Sequence, residues 1–143
     1  MTKLIQQISV FSENKPGKLA QVAETLKNAD INLRAFTIAE SGDFGIIRLI
    51  VDKPEEAYKL LKDVGFTVSK TDVLGVHMDD KPGSLLKISR LLSENEINMD
   101  YAYAFVTRDK TAVLIIRVSD VSNAISLLEK EDICFVCSQD IIT

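Results

Sequence analysis

The sequence has 143 residues, of which 46% are hydrophobic and 27% are charged, and its formal net charge is -4. This composition is typical of a globular chain and excludes a disordered protein, a collagen and a disulfide-rich scaffold. The negative charge argues against nucleic-acid and membrane partners, and no apolar run approaches the roughly 18 residues that span a bilayer. Because no apolar signal core follows Met1 and only two cysteines occur, we expect a cytoplasmic protein with reduced thiols.

The first half of the chain predicts six elements from its hydrophobic periodicity and its turn residues. Leu19, Val22, Ala23 and Leu26 recur at helical spacing, and Pro16 is expected in the first turn of that helix, where a missing N–H does no harm. The predicted elements are strand 4–12, a helix from Pro16, strands 31–40 and 44–51 around a hairpin at Ser41-Gly42-Asp43, a helix from Pro54 that stops at Gly65, and strand 66–70.

The second half of the chain predicts the same order. Its elements are strand 73–79, helix 83–95, strands 97–107 and 111–118, helix 121–130 and strand 133–138. The order βαββαβ, found twice, predicts an α+β fold of two tandem ferredoxin-like units packed side by side, each an antiparallel sheet with its helices on one face.

The two halves also repeat each other in sequence. Asn14-Lys15-Pro16-Gly17-Lys18-Leu19 returns as Asp80-Lys81-Pro82-Gly83-Ser84-Leu85 at an offset of 66, and Leu60-Leu61 returns as Leu127-Leu128 at an offset of 67. One residue inserted in the turn Thr107-Arg108-Asp109-Lys110 accounts for the change of offset, because turns tolerate insertions. The sequence therefore predicts two domains, residues 1–71 and 72–143.

Almost no linker separates the two predicted units, since residues 66–78 are strand-like nearly throughout. Units joined so closely are expected to share a substantial interface. Tyr101, Tyr103 and Phe105 alternate along one strand face and are candidates for that interface. The alternative is that these three side chains belong to the main core of their own sheet.

The repeated loop carries a family resemblance. Two copies of (Asn/Asp)-x-Pro-Gly-x-Leu, each followed by Ile-Asn 12 residues beyond the Leu, lie inside βαββαβ units. The chain resembles, over nearly its whole length, the small tandem ACT-domain proteins that bind amino acids. The resemblance implies a regulatory module without catalytic residues, metal or cofactor, which binds an amino acid at the interface between two ACT units.

The resemblance also implies the binding residues, by position. They lie in the loop between the first strand and the first helix of each unit, and at the start of the second strand of a neighbouring unit. The implied residues are Asn14, Lys15, Gly17, Lys18, Leu19 and Asn32 from the first unit, and Asp80, Lys81, Gly83, Ser84, Leu85 and Asn98 from the second.

The two implied sites are not equivalent. Ser12, two residues before the loop Asn, has Met78 as its counterpart, and Asp80 replaces Asn14. Met78 forms no useful hydrogen bond, whereas an ionised Asp80 would suit an ammonium group. The second site is therefore expected either to differ in specificity or to serve only as scaffold.

The loop residues also suit an amino-acid ligand chemically, because a helix N-terminus can receive a carboxylate and glycine lets a ligand approach the backbone. Structural alternatives remain open for the same residues. Asn14 and Asp80 could cap the helices, Pro16-Gly17 could be only a turn, and Asn32 and Asn98 could stabilise turns through bonds from their side chains to the backbone.

Other kinds of site have little support. His77 is the only histidine, and a pairing with Asp79 on the same strand face gives too few ligands for zinc. Cys134 and Cys137 have the spacing of a redox motif, but they fall in a predicted strand rather than at the start of a helix. RNA-binding modules share the βαββαβ order but need stacking aromatics and a basic surface, which this chain lacks.

Two functions therefore remain open. The first is a sensor that binds an amino acid and signals to a regulated enzyme or another protein partner. The second is a ligand-free interaction module of the same fold. Because exposed sheet edges invite pairing, we also expect a homodimer.

Overall fold

A computed structural model describes residues 3–106, 111–138 and 140 of the chain. The predicted turn at 107–110, with Asp109, lies outside the described residues. The elements are β1 (Leu4–Glu13), α1 (Lys18–Asn28), β2 (Leu33–Ser41), β3 (Phe44–Val51), α2 (Pro54–Asp63), β4 (Thr67–Asp79), α3 (Ser84–Glu94), β5 (Met99–Val106), β6 (Thr111–Val118), α4 (Val121–Lys130) and β7 (Phe135–Val136).

The described chain divides into two compact units. The first unit contains Gln6–Thr71, and the second contains Asp72–Ser138 together with residues 3–5. Strand β4 is continuous across the boundary, since it runs without a break from Thr67 to Asp79. The sequence-based expectation that one strand leads directly into the next is confirmed.

The first unit has the strand order β2-β3-β1, with the start of β4 beside β1. All the pairings with β3 are antiparallel, and their register places Ile8 opposite Leu49 and Val10 opposite Ile47. These alternate strand residues face the helices, because α1 and α2 contribute Val22, Leu26, Ala57 and Leu61 to the same buried cluster. The helices therefore cover one face of this sheet.

The second unit repeats this arrangement, with the strand order β5-β6-β4-β7. Leu74 pairs with Ile116 and Val76 with Leu114, at the positions that match the pairs of the first unit. The helix residues of this core, Ile88, Leu92, Ala124 and Leu128, are the repeat counterparts of Val22, Leu26, Ala57 and Leu61. The predicted fold, two tandem ferredoxin-like units of α+β class, is confirmed.

Helices α1 to α4 end in one conformation. Each helix is followed by a residue with positive φ, whose own N–H and the next N–H donate back to carbonyls of the last turn. These residues are Asp30, Gly65, Glu96 and Asp132, with φ of 57°, 102°, 59° and 58°. The predicted stop at Gly65 is confirmed, and its counterpart in the second unit is an aspartate.

Several predicted boundaries are wrong by two residues or more. The strands predicted to begin at residues 31 and 97 begin at Leu33 and Met99. Pro16 is not in the first turn of α1, because the helix begins at Lys18 after Gly17, whose φ of 90° is not helical. The last strand does not extend over residues 133–138, because only Phe135 and Val136 pair with β4. Cys134 and Cys137 therefore flank a strand of two residues instead of lying within it.

Tyr101, Tyr103 and Phe105 alternate as predicted and are half-buried. They are not part of the helix-facing core, since the register pairs Tyr103 with Ile115 and Phe105 with Val113 on the opposite face of the sheet. The alternative that placed them in the main core is wrong. Among the described residues no helix is long and apolar enough to cross a membrane.

Candidate functional site

The two repeated loops have nearly the same backbone. Gly17 and Gly83 immediately precede their helices, with φ of 90° and 93°. Such left-handed values are readily adopted only by glycine, and a Cβ at either position would meet no atom within 4 Å. Both glycines are therefore required by the turn, and both leave open space in front of a helix N-terminus.

The same glycines show whether Asn14 and Asp80 cap the helices. The residues that cap α1 and α3 are Gly17 and Gly83, and neither cap has a side-chain hydrogen bond. Asn14 and Asp80 lie too early in the loops to cap the helices, so that interpretation is wrong. The N-termini of both helices therefore have no side-chain acceptor from their N-cap residue, although the first N–H of each helix donates to the carbonyl of Lys15 or Lys81.

In the first loop, Asn14 is engaged with the β2–β3 hairpin. Its backbone N–H donates to the carbonyl of Asp43 at 2.7 Å, and its side-chain Nδ2 donates to the carbonyl of Gly42 at 3.3 Å. Ser12 lies just before the loop, and its hydroxyl donates to the carbonyl of Glu13. The polar groups at this end of β1 are thus used to hold the loop in place.

Lys15 forms an exposed ion pair beside this loop. Its Nζ lies 2.6 Å from Glu13 Oε2, and the hydrogen bond and positive charge of Lys15 lower the pKa of the Glu13 carboxyl. Because the pair is exposed to solvent, its contribution to stability is small. The pair therefore joins the side chains of Lys15 and Glu13 at the rim of the loop and adds little to stability.

The second loop borders a cavity of about 450 Å³. The wall is built by the end of β4, the loop, the first turn of α3, the start of β6 and the segment between α4 and β7. The lining residues are His77, Met78, Asp79, Lys81, Pro82, Gly83, Ser84, Lys87, Ile88, Thr111, Asp132, Ile133 and Cys134. This volume is within the usual range for small-molecule sites.

The cavity wall carries two cations and two carboxylates. Lys81 Nζ and Asp79 Oδ2 form an exposed ion pair at 3.6 Å. Lys87 and Asp132 are different, because in the described residues their only hydrogen bonds are those of the helix backbone. One ammonium and one carboxylate thus face the same cavity without forming an ion pair with each other.

Ser84 is the first residue of α3 and presents a further polar group to this wall. Its Oγ is buried and has no hydrogen-bond partner among the described residues. A buried hydroxyl without a partner costs about 1–3 kcal/mol of stability.

His77 and Cys134 are neighbours in the cavity wall, and the backbone N–H of His77 donates to the carbonyl of Cys134 at 2.8 Å. His77 and Asp79 lie on the same side of β4, as predicted, and both line the cavity. Cys134 and Cys137 are free thiols. No group of three or more potential metal ligands occurs in residues 3–106, 111–138 and 140.

The cavity brings together only part of the predicted residue set. Lys81, Gly83 and Ser84 line it, whereas Asp80 lies beside it and Leu85 is 51% exposed. In the first unit, Asn14, Lys15, Gly17 and Lys18 are exposed or half-buried in their loop, and Leu19 packs against the core.

Asn32 and Asn98 lie far from the loops of their own units. Each precedes its second strand, at the end of the sheet opposite the loop. Strand β6 begins at Thr111, which lines the cavity beside the second loop, and ends at Val118, which lies beside Asn98. These seven residue steps span about 23 Å. Within the described part of the chain, neither side chain donates to a backbone group as suggested. Asn98 Nδ2 donates to Asp100 Oδ1, and the backbone N–H groups of Asn32 and Asn98 donate to Asp52 Oδ1 and Ser119 Oγ.

The cavity also contains polar residues that the sequence reasoning left out of the ligand site. They are Asp79, whose counterpart Glu13 is also acidic, and His77, Lys87, Thr111, Asp132 and Cys134. A comparison of the repeats could have found the last five, since the first unit has Phe11, Gln21, Phe44, Gly65 and Thr67 at the corresponding positions. Three of these five changes replace phenylalanine or glycine by a residue with a polar side chain, and a fourth replaces a neutral glutamine by a charged lysine.

Solved structures with the same fold include three informative relatives. A protein from Bacteroides thetaiotaomicron is 38% identical, covers 99% of this chain and 97% of its own length, and superposes with a TM-score of 0.92. The ligand-free regulatory subunit of aspartate kinase from Thermus thermophilus is 16% identical, with coverages of 91% and 95% and a TM-score of 0.67. The corresponding subunit from Thermus flavus is 18% identical, with coverages of 87% and 88% and a TM-score of 0.62.

No functionally curated protein matches the chain. Because the aspartate kinase subunits have low sequence identity to this chain, the likeness to them shows a shared fold alone. The model of the ACT domain pair matches residues 1–143, which is the full length of the sequence. The duplicated βαββαβ units, the two glycine turns and this match lead to one conclusion: the chain belongs to the ACT domain pair family.

Proposed function

We propose that the protein is a non-catalytic sensor that binds a free amino acid and passes the bound state to a protein partner. The observation that carries the proposal is the open cavity beside the second loop, which is lined by Lys87, Asp132 and a helix N-terminus without a side-chain cap. Every amino acid has a carboxylate and an ammonium group, so a site with one positive and one negative pole can recognise the part that all amino acids share.

The implied binding residues of both loops stay predictions, as does the placement of the ligand between two units. Asn32 and Asn98 cannot reach the loop of their own unit, so any contact of theirs with a loop ligand would require a different unit. The fold of the aspartate kinase regulatory subunits supports a regulatory role by likeness alone.

A thermal-shift screen of the twenty standard amino acids tests the proposal. A ligand at 100 times its dissociation constant stabilises the native state by about 2.7 kcal/mol. We therefore expect a selective rise in Tm with one amino acid or a few related ones. A flat response to all twenty at millimolar concentration would contradict the sensor.

A second candidate, a ligand-free assembly module, is favoured by the edge strand of the first unit. Strand β2 ends the strand order, and its Phe36 and Ile38 are 48% and 49% exposed. Exposed apolar side chains on a strand edge favour pairing with another chain, which also supports a homodimer. Sedimentation equilibrium gives the oligomeric state, and a stable dimer together with a flat thermal-shift screen would favour the assembly module.

A further inference from the structure

We propose that the ligand site lies in the second unit alone, that it holds one ligand per chain, and that its ligand is an amino acid with an uncharged side chain. This inference rests on the proposed function and specifies its site and ligand class. It starts from the cavity wall, where Lys87 and Asp132 line the same space but bind no other described side chain.

The two charges coincide with the ends of two helices. Lys87 lies in the first turn of α3, beside its uncapped N-terminus, where the helix dipole is positive. Asp132 lies two residues after the last residue of α4, where the helix dipole is negative. Each side-chain charge therefore reinforces the helix end beside it, and the cavity has a positive pole and a negative pole.

A zwitterion matches these two poles. Its carboxylate is favoured at Lys87 and the N-terminus of α3, where the helix dipole is positive. Its ammonium group is favoured at Asp132 and the last carbonyls of α4. Lys87 and Asp132 are exposed, so solvent screens both charges, and a ligand with only one of the two groups would gain the attraction of one pole instead of two.

The remaining wall argues for an uncharged side chain on the ligand. Lys81 and Asp79 already neutralise each other at 3.6 Å. The other lining residues are Met78, Pro82, Gly83, Ile88 and Ile133, which have no polar side chain, and His77, Thr111 and Cys134, which can form hydrogen bonds. A third charge on the ligand would have no opposite charge to meet, which disfavours acidic and basic amino acids.

The first unit has the same helix ends without the two charges. Its counterparts of Lys87 and Asp132 are Gln21 and Gly65. Lys18 supplies a cation near the N-terminus of α1, but no carboxylate corresponds to Asp132. The positions of His77 and Thr111 are occupied by Phe11 and Phe44, which are 50% and 63% exposed. The first unit can therefore serve as scaffold while the second holds the ligand.

Isothermal titration calorimetry of the full chain, with the amino acid that gives the largest thermal shift, tests the site. We expect one ligand per chain and at least about tenfold weaker binding for Lys87→Gln and Asp132→Asn. Asparagine tolerates the left-handed conformation found at position 132, so this variant keeps the backbone. Lys130→Gln and Glu131→Gln are matched controls, because they remove the same charges close by without lining the cavity.

Two analogues of the same amino acid separate contact from a structural effect. The amine-free acid lacks the ammonium group, and the primary amide lacks the carboxylate. We expect each to bind wild type at least about tenfold more weakly than the amino acid. Asp132→Asn should lose the preference for the ammonium group and Lys87→Gln the preference for the carboxylate, whereas a structural defect would weaken all three compounds equally.

The possible outcomes distinguish the two proposals. Two ligands per chain, a best ligand with a charged side chain, or unchanged affinity in both cavity variants would overturn this inference and leave the sensor intact. Equal weakening of all three compounds would also overturn it. If none of the twenty amino acids binds, the sensor and this inference both fail.

Discussion

The loop before α1 and the loop before α3 have matching hydrogen bonds as well as matching glycines. In each loop the N–H of the lysine donates to a β-strand carbonyl at 2.9 Å, and the N–H of the first helical residue donates to the carbonyl of that lysine at 3.4 Å. The side chains around the two loops differ. The first loop is held by Asn14 on the β2–β3 hairpin, whereas the second borders a cavity with Lys87 and Asp132.

This difference teaches where function is to be sought in a duplicated fold. Gly17 and Gly83 are both present because each turn needs a positive φ, so the shared motif is explained by the backbone. The charges at 87 and 132 have no such explanation, because Gln21 and Gly65 support the same fold. The residues that differ between the units are therefore better candidates for ligand recognition than the residues they share.

The largest expected effect tests whether the two cores are equivalent. Leu61 and Leu128 are repeat counterparts, and both are fully buried. We expect Leu61→Ala and Leu128→Ala each to lower the free energy of unfolding by about 2–5 kcal/mol, measured in urea, because each leaves a cavity in a packed core. A much smaller loss for one variant would break the equivalence.

The same variants test the proposed domains, residues 1–71 and 72–143. Hydrogen exchange should show faster amide exchange mainly in α1 and α2 for Leu61→Ala, and mainly in α3 and α4 for Leu128→Ala. Uniform acceleration in both variants would indicate one cooperative domain.

A somewhat smaller effect is expected at Gly75, whose counterpart in the first unit is Ser9. A Cβ at Gly75 would lie 2.9 Å from Ile5 Cδ1 and 3.3 Å from Val136 Cβ, in a fully packed region. We expect Gly75→Ala to cost about 1–3 kcal/mol of stability in urea unfolding. Ile5→Val removes the closest atom, so Gly75→Ala should cost less in that background, and an equal cost would refute overpacking at Ile5.

Gly17→Ala and Gly83→Ala form a matched pair for the loops. Both place a Cβ in open space at nearly equal positive φ, so each should cost about 1–2 kcal/mol of stability. Ligand affinity should fall only in Gly83→Ala, measured by calorimetry with the amino acid from the screen. If affinity falls only in Gly17→Ala, the assignment of the site to the second unit is wrong.

The smallest effect concerns Glu13. Because Lys15 lowers the pKa of the Glu13 carboxyl, the pair stabilises the protein at neutral pH and this stabilisation is lost as the pH falls and Glu13 is protonated. Glu13 is exposed, so the Tm of Glu13→Gln should be only slightly below that of wild type at pH 7 and equal to it at pH 3. A larger difference at pH 3 than at pH 7 would contradict this sign.

The fold could be predicted from the sequence because its signals are local and occur twice. Apolar spacing predicted α1 and α2, the sequence repeat predicted α3 and α4, and Pro54 and Gly65 marked the ends of α2 correctly. The boundary errors at Pro16 and at residues 133–138 have a common cause. A turn residue or an apolar run permits a helix start or a strand, whereas hydrogen bonding to partners distant in sequence decides where each begins and ends.

The cavity could be predicted only in part. The motif identified Lys81, Gly83 and Ser84, because they are contiguous in sequence. Asp132 and Thr111 come from separate elements, and only the β4–β6 and β4–β7 pairings bring them to the end of β4. Comparing the two halves of the sequence shows that these positions differ between the units. A single sequence does not show which unit's side chains line a cavity.

The central claim is that one unit of the pair binds the ligand. The most direct measurement is a ¹H–¹⁵N NMR titration of the full chain with the amino acid that gives the largest thermal shift. We expect chemical-shift changes concentrated at His77, Gly83 to Lys87 and Asp132 to Cys134, with little change at Phe11, Gly17 to Gln21 and Gly65 to Thr67. Equal changes at both loops, or larger changes around Gly17, would contradict that claim.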